Sequence, residues 1–394
     1  MHDLLLLAAF VLATGVGWWL GRRDANKSPV QSPALAEEYF KGLSFLLDEQ
    51  PDEAIDHFLQ ALDINSETVD THLALGRLFR KRGDVEKATR IHRALLARPD
   101  LEKSQLLLAQ YELANDYMAA GLLDRAERIL LELGNAQGEI KWRSLQLLME
   151  LYQNEKEWDR SITVAQQLLG RKHPSTRPLL AHFCCEKAQV FICSGGVEAA
   201  RKELKRALGY DGSCVRASLL KGSLELGAGN YRKAIKAYKK VRYQDANFLT
   251  EIITGLAHCY HKLGREKELG QFLRDCLQEN ASVGLALAAA DYLYFGDNKR
   301  EDTNRFIGDA LQASPSLNSV AYLLDTQKQK PGPVKKEMLD NLQVIVGQLI
   351  ELQPVYRCNH CGYSGKKLVW LCPGCRKWGT IKPINEQLSH EQQV

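Results

Sequence analysis

The chain has 394 residues, too many for one ordinary hydrophobic core, so several units or an elongated array are expected. Its 45% hydrophobic and 25% charged residues are the composition of globular protein. A formal net charge of only +4, with no basic stripe interleaved with aromatics, argues against nucleic acid as a partner.

At the N-terminus, Leu4 to Leu20 is apolar or small throughout, ends in Trp18-Trp19-Leu20, and is followed by Gly21-Arg22-Arg23. A helix of that length just spans a thin bilayer. The Trp pair suits the interfacial belt and the Arg pair the positive-inside rule. The expectation is therefore a transmembrane anchor over residues 1–21 with the bulk of the chain on the cytoplasmic side. A cleaved signal peptide wants its charge before the apolar core and a small-x-small site after it, and here the charge lies on the other side. Residues 22–34, with Asn, Lys, Ser and Pro, read as a linker.

From Leu35 the chain repeats with a period near 34 residues. The pattern is a small residue in one helix, an aromatic three later, a Gly at the turn and a small residue in the next helix. Gly42 and Phe45 open the first unit, and Gly76, Phe79, Gly83 and Ala88 make the second. Ala114, Tyr117, Gly121 and Ala126 make the third. Met149, Tyr152, Trp158 and Ser161 form a fourth that lacks the Gly. Ala188, Phe191, Gly195 and Ala200 follow, then Gly222, Gly229, Ala234 and Tyr238, then Ala257, Tyr260, Gly264 and Leu269. Small residues let antiparallel helices approach, and the Gly supplies the positive φ that ends the first helix. One pair cannot bury its apolar face, but stacked pairs can. An eighth, degenerate unit is expected over 282–311, giving an array over 35–312. Glu and Asp scattered along it are expected on solvated helix faces. Cys184, Cys185, Cys193, Cys214, Cys259 and Cys276 lie inside apolar helical patterns without framework spacing, which points to a reducing compartment.

A break follows, with Pro331-Gly332-Pro333 closing a linker over 313–333. Residues 334–353 then read as an amphipathic connecting helix with Met338, Leu342, Ile345, Leu349 and Leu352 on one face. That helix is expected to dock the C-terminal domain onto the repeats.

Within 354–383, Cys358-x-x-Cys361 and Cys372-x-x-Cys375 are separated by ten residues, and a tail over 384–394 follows. Each pair brackets one tight turn, so its two sulfurs can face one ion, and two such turns complete a tetrahedral four-thiolate shell. Cys358, Cys361, Cys372 and Cys375 are thus the expected ligands of one iron or zinc ion. His360 is expected to be exposed, because four sulfurs fill the shell. His258 and His261, three apart on a helix, lack a third ligand, and His182 beside Cys184 and Cys185 is discounted likewise. No phosphate loop, nucleophile elbow or H-E-x-x-H appears, and no catalytic constellation is found, so no enzyme is expected.

Three resemblances carry further expectations. The repeats resemble the tetratricopeptide family, which implies an all-α superhelix that binds proteins on its concave face. Tyr356-Arg357-Cys358, Gly362-Tyr363 and Trp370-Leu371-Cys372-Pro373 resemble the two knuckles of rubredoxin with a shortened inter-knuckle loop, so the C-terminal domain is similar to a trimmed rubredoxin-like metal ribbon. Anchor, array and ribbon in that order resemble the lipopolysaccharide assembly protein B family, also called LapB or YciM. That resemblance implies an adaptor at the cell inner membrane of Gram-negative bacteria. It implies that the protease FtsH is led to degrade the deacetylase LpxC, that a membrane regulator of the PbgA/YejM type opposes this, and that other lipopolysaccharide-synthesis or transport proteins are gathered. The alternative is a redox protein passing electrons through a rubredoxin-like ribbon on a repeat scaffold. The sequence leaves a homo-oligomer open.

Overall fold

The computed structural model describes residues 44–45, 69–99, 101–169, 176–279, 283–293, 320–321 and 336–384. The expected anchor over 1–21, the linker over 22–34, most of the first repeat, nearly all of the linker over 313–333 and the tail beyond residue 384 lie outside the described residues. Among the described residues no helix is long and apolar enough to cross a membrane.

The chain divides into two compact units, residues 1–147 and 148–394. In the first, α1 (Val69–Arg82), α2 (Val85–Leu96), α3 (Lys103–Ala119) and α4 (Leu123–Gly134) run in sequence, followed by α5 (Glu139–Asn154), which ends in the second unit. Val69, Leu73, Leu95 and Ala109 form one buried cluster, and Leu75, Phe79, Ala88 and Ile91 another.

The second unit continues with α6 (Trp158–Leu168), α7 (Thr176–Cys193), α8 (Val197–Tyr210), α9 (Val215–Gly227) and α10 (Tyr231–Gln244). A 3-10 turn, Ala246–Phe248, leads into α11 (Leu249–Lys262), α12 (Glu266–Glu279) and α13 (Val283–Leu293). Two large clusters hold this part together, one centred on α7 and α8, the other on α11 and α12. Leu285, Ala286 and Ala289 of α13 join the latter, so the start of the expected eighth unit packs as part of the array.

The turns between paired helices share one device. At the end of α1 the Asp84 N–H returns to the Phe79 carbonyl at 3.0 Å, at the end of α3 Leu122 returns to Tyr117 at 2.9 Å, and after α11 Arg265 returns to Tyr260 at 3.0 Å. This is the Schellman closure, whose penultimate residue must adopt positive φ. Gly83, Gly121, Gly195, Gly229 and Gly264 supply it, at φ 62 to 88. In the turn without Gly, between α5 and α6, Lys156 takes φ 59, and Glu157 still returns to Tyr152 at 2.9 Å. Within a repeat, the small residue faces the large one. A Cβ at Gly222 on α9 would lie 2.3 Å from the Tyr238 ring on α10.

Four acidic residues depart from expectation. Glu112, Asp116, Glu203 and Glu225 are buried rather than solvated. Arg80 of α1 reaches α3, with Glu112 at 2.6 Å and Asp116 at 2.7 Å, and His92 of α2 meets Asp116 at 2.5 Å. Arg201 of α8 pairs with Glu225 of α9 at 2.8 Å, and Glu203 meets Arg206 at 2.9 Å. The cause is steric: long arginine stems lie along the helix surfaces and carry their charge into the inter-helix seams, where a carboxylate must match it.

After α14 (Lys336–Leu352) come β1 (Tyr356–Cys358), β2 (Ser364–Gly365) and β3 (Ile381–Pro383). They form an antiparallel sheet in the order β2-β1-β3, with Cys358 opposite Ile381. The helix α14 exists as expected; of the five residues on its apolar face, only Leu349 and Leu352 have described side chains. Leu349 is exposed and Leu352 is 78% exposed, while the ribbon itself touches the repeats.

Candidate metal centre

The first knuckle begins at the end of β1. The Cys358 N–H donates to the Tyr363 carbonyl at 2.7 Å, and the Gly362 N–H to the Cys358 carbonyl at 3.0 Å, with Gly362 at φ 77. The second repeats the design: Cys372 donates to the Lys377 carbonyl at 3.1 Å and Arg376 to the Cys372 carbonyl at 2.9 Å. Here Arg376, at φ 55, stands where the first knuckle has Gly362. Its guanidinium hydrogen-bonds Asn154 at the end of α5.

The four sulfurs converge. All lie within 4.8 Å of one another, and no other grouping of three or more potential ligands occurs among the described residues. Cys358 Sγ is 3.8 Å from Cys375 Sγ, and Cys361 Sγ is 3.6 Å from Cys372 Sγ. A tetrahedral ion with metal–sulfur bonds of about 2.3 Å needs sulfurs about 3.8 Å apart, so the cage fits one ion. The His360 N–H lies 3.4 Å from Cys358 Sγ, and Thr380 Oγ1 lies 3.2 Å from the same sulfur. The Thr380 hydroxyl, and then the N–H groups of Cys361 and His360, hold the Cys358 thiol down to about 6 against the opposing push of burial. For Cys361 the Tyr363 N–H acts downward, but burial and the thiols of Cys372, Cys358 and Cys375 outweigh it and push it up to about 11. Cys358 and Cys361 are thus pushed in opposite directions, and a cation at the centre of the cage would remove that conflict.

His360 is exposed, as expected, with Nε2 2.6 Å from Lys377 Nζ. His258 sits near the Tyr231 ring and His261 beside Glu266 at 3.2 Å, away from any ligand cluster. Cys184 and Cys185 are buried free thiols, as are Cys214, Cys259 and Cys276, whereas Cys193 is exposed. The neighbouring ring of His182 has a different use.

The core of the ribbon is Cys358, Cys372 and Ile381, too small to house an indole. Its two tryptophans face the array instead. Trp370 stacks on Phe248 at 5.5 Å, and Trp378 stacks on His182 at 5.1 Å and meets Phe183 edge-on at 6.1 Å. The buried Arg216 of α9 lies 5.9 Å and 5.7 Å from the two indole rings. Its guanidinium is held by Glu186 at 2.9 Å and Gln189 at 3.0 Å on α7. Trp378 Nε1 donates to Gln153 at 3.0 Å, Tyr356 OH donates to Glu251 at 2.8 Å, and Lys382 pairs with Asp245 at 2.8 Å. Burial, and secondarily Arg216, push His182 down to about 3, so the ring is neutral. Sequence reasoning missed this surface. Its signal was two tryptophans in a domain of thirty residues that cannot bury them.

A relative of known family matches nearly the whole chain: lipopolysaccharide assembly protein B of Escherichia coli (strain K12) is 36% identical over 382 residues, covering 96% of this chain and 98% of that protein. The chain belongs to the lipopolysaccharide assembly protein B family. The relative of the same name in Haemophilus influenzae (strain ATCC 51907 / DSM 11121 / KW20 / Rd) is 35% identical over 396 residues, covering 97% of this chain and 98% of that protein. A model described as rubredoxin metal binding domain matches residues 356–383, and tetratricopeptide repeat models match 71–104 and 185–247. Among solved structures, a tetratricopeptide repeat protein from Parabacteroides merdae ATCC 43184 overlays with a TM-score of 0.33 at 14% identity, covering 71% of this chain and 99% of that one. In this family member, repeat helices and a ribbon with four converging cysteines are thus joined in one chain.

Proposed function

We propose that this chain is a non-enzymatic adaptor of lipopolysaccharide synthesis, anchored in the inner membrane through residues 1–21 with its array on the cytoplasmic side. It brings LpxC to the protease FtsH for degradation and gathers other envelope-synthesis proteins, with a membrane regulator of the PbgA/YejM type opposing it. The observation that carries this reading is the 36% identity to lipopolysaccharide assembly protein B across 98% of that protein's length. Cys358, Cys361, Cys372 and Cys375 hold one iron or zinc ion. Bound there, the ion supplies a structural cross-link between the two knuckles, and four thiolates leave it no open position for a substrate.

Tethering gives the adaptor its local concentration towards a membrane protease. The test follows LpxC half-life in cells lacking this chain and complemented with residues 1–394 or 22–394 at native level. Full-length chain should restore rapid LpxC turnover, and the truncated one should not although it stays soluble and folded. Unchanged LpxC turnover on loss of the full-length chain refutes the regulatory role, and normal turnover with the truncated chain refutes the tether.

A further inference from the structure

Helices α8, α9 and α10 line an open cleft of about 420 Å³, and six of its ten lining residues are cationic. From α8 come Arg201 and Lys205, from α9 Lys221, and from α10 Lys233, Lys236 and Lys240. The one carboxylate among them is Glu225, which Arg201 clamps with two hydrogen bonds at 2.8 and 2.9 Å. Six cations facing one acid leave an excess larger than the +4 of the whole chain. None of the five lysine ammonium groups makes a hydrogen bond or ion pair among the described residues, although lysines elsewhere do, such as Lys382 with Asp245. Like charges so gathered repel one another and cost stability, so their concentration in one recess calls for an anion.

A second observation lies at the lining of the same cavity. Ser218 of α9 is wholly buried there, and its hydroxyl has no hydrogen-bond partner. Buried hydroxyls are nearly always paired, so this one is an orphan awaiting a partner. Ser218 follows Arg216 by two residues, about 200° around the helix. The cavity therefore opens away from the face that Arg216 turns to the ribbon, and the two surfaces can be occupied together.

We propose that this cleft binds an acidic peptide segment of a protein partner. Three features favour a peptide over a single phosphate. Lysines are point charges without the planar fork that selects phosphate or carboxylate shape, so they read charge density along a line. Lys233, Lys236 and Lys240 share one face of α10 and extend about 10 Å along it. An extended peptide presents side chains on one side every ~7 Å, so two alternate acidic residues span that row, whereas one phosphate leaves its ends unneutralised. A peptide also carries backbone carbonyls, which can accept from the Ser218 hydroxyl while its acidic side chains meet the lysine row. A flat lipid surface does not enter a recess between three helices. The inference rests on neither the metal centre nor the lipopolysaccharide role.

The test uses the full-length chain in neutral detergent and fluorescence anisotropy of a labelled peptide of alternating Glu and Ser, with its Gln counterpart as control. The Glu peptide should bind and weaken steeply with salt, and the Gln peptide should not bind. Lys233→Gln, Lys236→Gln and Lys240→Gln together should reduce affinity at least about tenfold, with helical content and ribbon metal unchanged. Ser218→Ala should lower affinity roughly threefold while the melting temperature holds or rises, because it removes an unpaired buried hydroxyl. Undiminished binding by the triple variant shows that the peptide sits elsewhere and overturns the site. Tripolyphosphate or phosphatidylglycerol micelles binding more tightly than the peptide, in a lysine-dependent way, overturns the peptide as occupant.

Discussion

The array and the ribbon solve the problem of stability in opposite ways. The array distributes its core: within each unit neighbouring helices bury their apolar faces against one another, and the same turn recurs from Gly83 to Gly264. The ribbon has three buried residues at its centre, two of them cysteines of the cage, and turns its largest side chains outward onto α7, α9 and the Phe248 turn. A local injury to the array should therefore stay small, whereas the ribbon is expected to depend on two supports, the ion proposed for its cage and the aromatic seat outside. Each can be removed separately.

Removing the inner support should have the largest effect. Cys372→Ser takes out a fully buried member of the cage. Structural zinc contributes about 10–16 kcal/mol to folding small metal domains, far more than so small a core can replace. Metal content should fall to a small fraction, and protease should cut within residues 356–383, while far-ultraviolet circular dichroism keeps the array's helical signal. Full metal occupancy in this variant would break the four-thiolate assignment. Collapse of the helical signal would break the contrast between the two regions.

Removing the outer support should cost less. Trp378→Ala deletes the stack on His182, the edge contact with Phe183 and the hydrogen bond to Gln153. Truncating a packed tryptophan costs about 3–5 kcal/mol, and the partial exposure of this one places it at the lower end. The ribbon should keep its ion but lose its seat, seen as faster hydrogen exchange at Phe183 and Arg216 with unchanged metal stoichiometry. Loss of the ion from this variant would mean that the two supports are one.

The seat should also respond to pH. The ring of His182 is held neutral, its pKa moved from 6.5 to about 3, so between those values the unfolded chain binds a proton that the folded one refuses. Stability from this residue is complete above pH 6.5 and declines as pH falls towards 3. Over the first one and a half units of that fall the loss is at most about 2 kcal/mol. His182→Gln should flatten this part of the profile relative to the unaltered chain, measured by denaturant unfolding above pH 5, where titration of the cage thiols is common to both proteins and cancels in the difference. Parallel profiles for both proteins would exclude His182 as the group responsible.

Periodic features were legible in the chain, and singular ones were not. The turn glycines fall every thirty-odd residues, and the physics of a helix end fixes their conformation, so Gly83, Gly121, Gly195, Gly229 and Gly264 could be placed in advance. The paired Cys-x-x-Cys spacing placed four sulfurs together for the same reason: a tight turn leaves little choice. The seat of the ribbon depends on which repeat faces Trp370 and Trp378. That is a long-range choice with no local signature, and the connecting helix, with its regular apolar face, drew the docking role to itself. Leu352, 78% exposed, shows that an amphipathic pattern identifies a helix without identifying what covers it. The buried acids were hidden similarly, because Asp116 is distinguishable from a surface aspartate only once Arg80 and His92 are seen to reach it.

The smallest predicted effect tests the array's repeating turn at its one irregular position. Lys156 adopts φ 59 between α5 and α6, where five other turns use glycine, yet the Schellman hydrogen bond from Glu157 to Tyr152 is kept at 2.9 Å. A side chain in the left-handed region costs about 1–2 kcal/mol, and glycine does not incur that cost. Glycine also has more freedom to lose on folding, which offsets part of the gain. Lys156→Gly should therefore stabilise the second unit by only about 0.5–1 kcal/mol, as a small rise in denaturation midpoint with unchanged slope. Gly229→Ala, at φ 73, should move the midpoint the other way by a similar amount, since nothing within 4 Å obstructs the added Cβ and only the backbone resists it. If Lys156→Gly destabilises instead, the lysine side chain contributes a contact larger than its backbone strain. The turn between α5 and α6 would then be a specialised element rather than a weakened copy of the others.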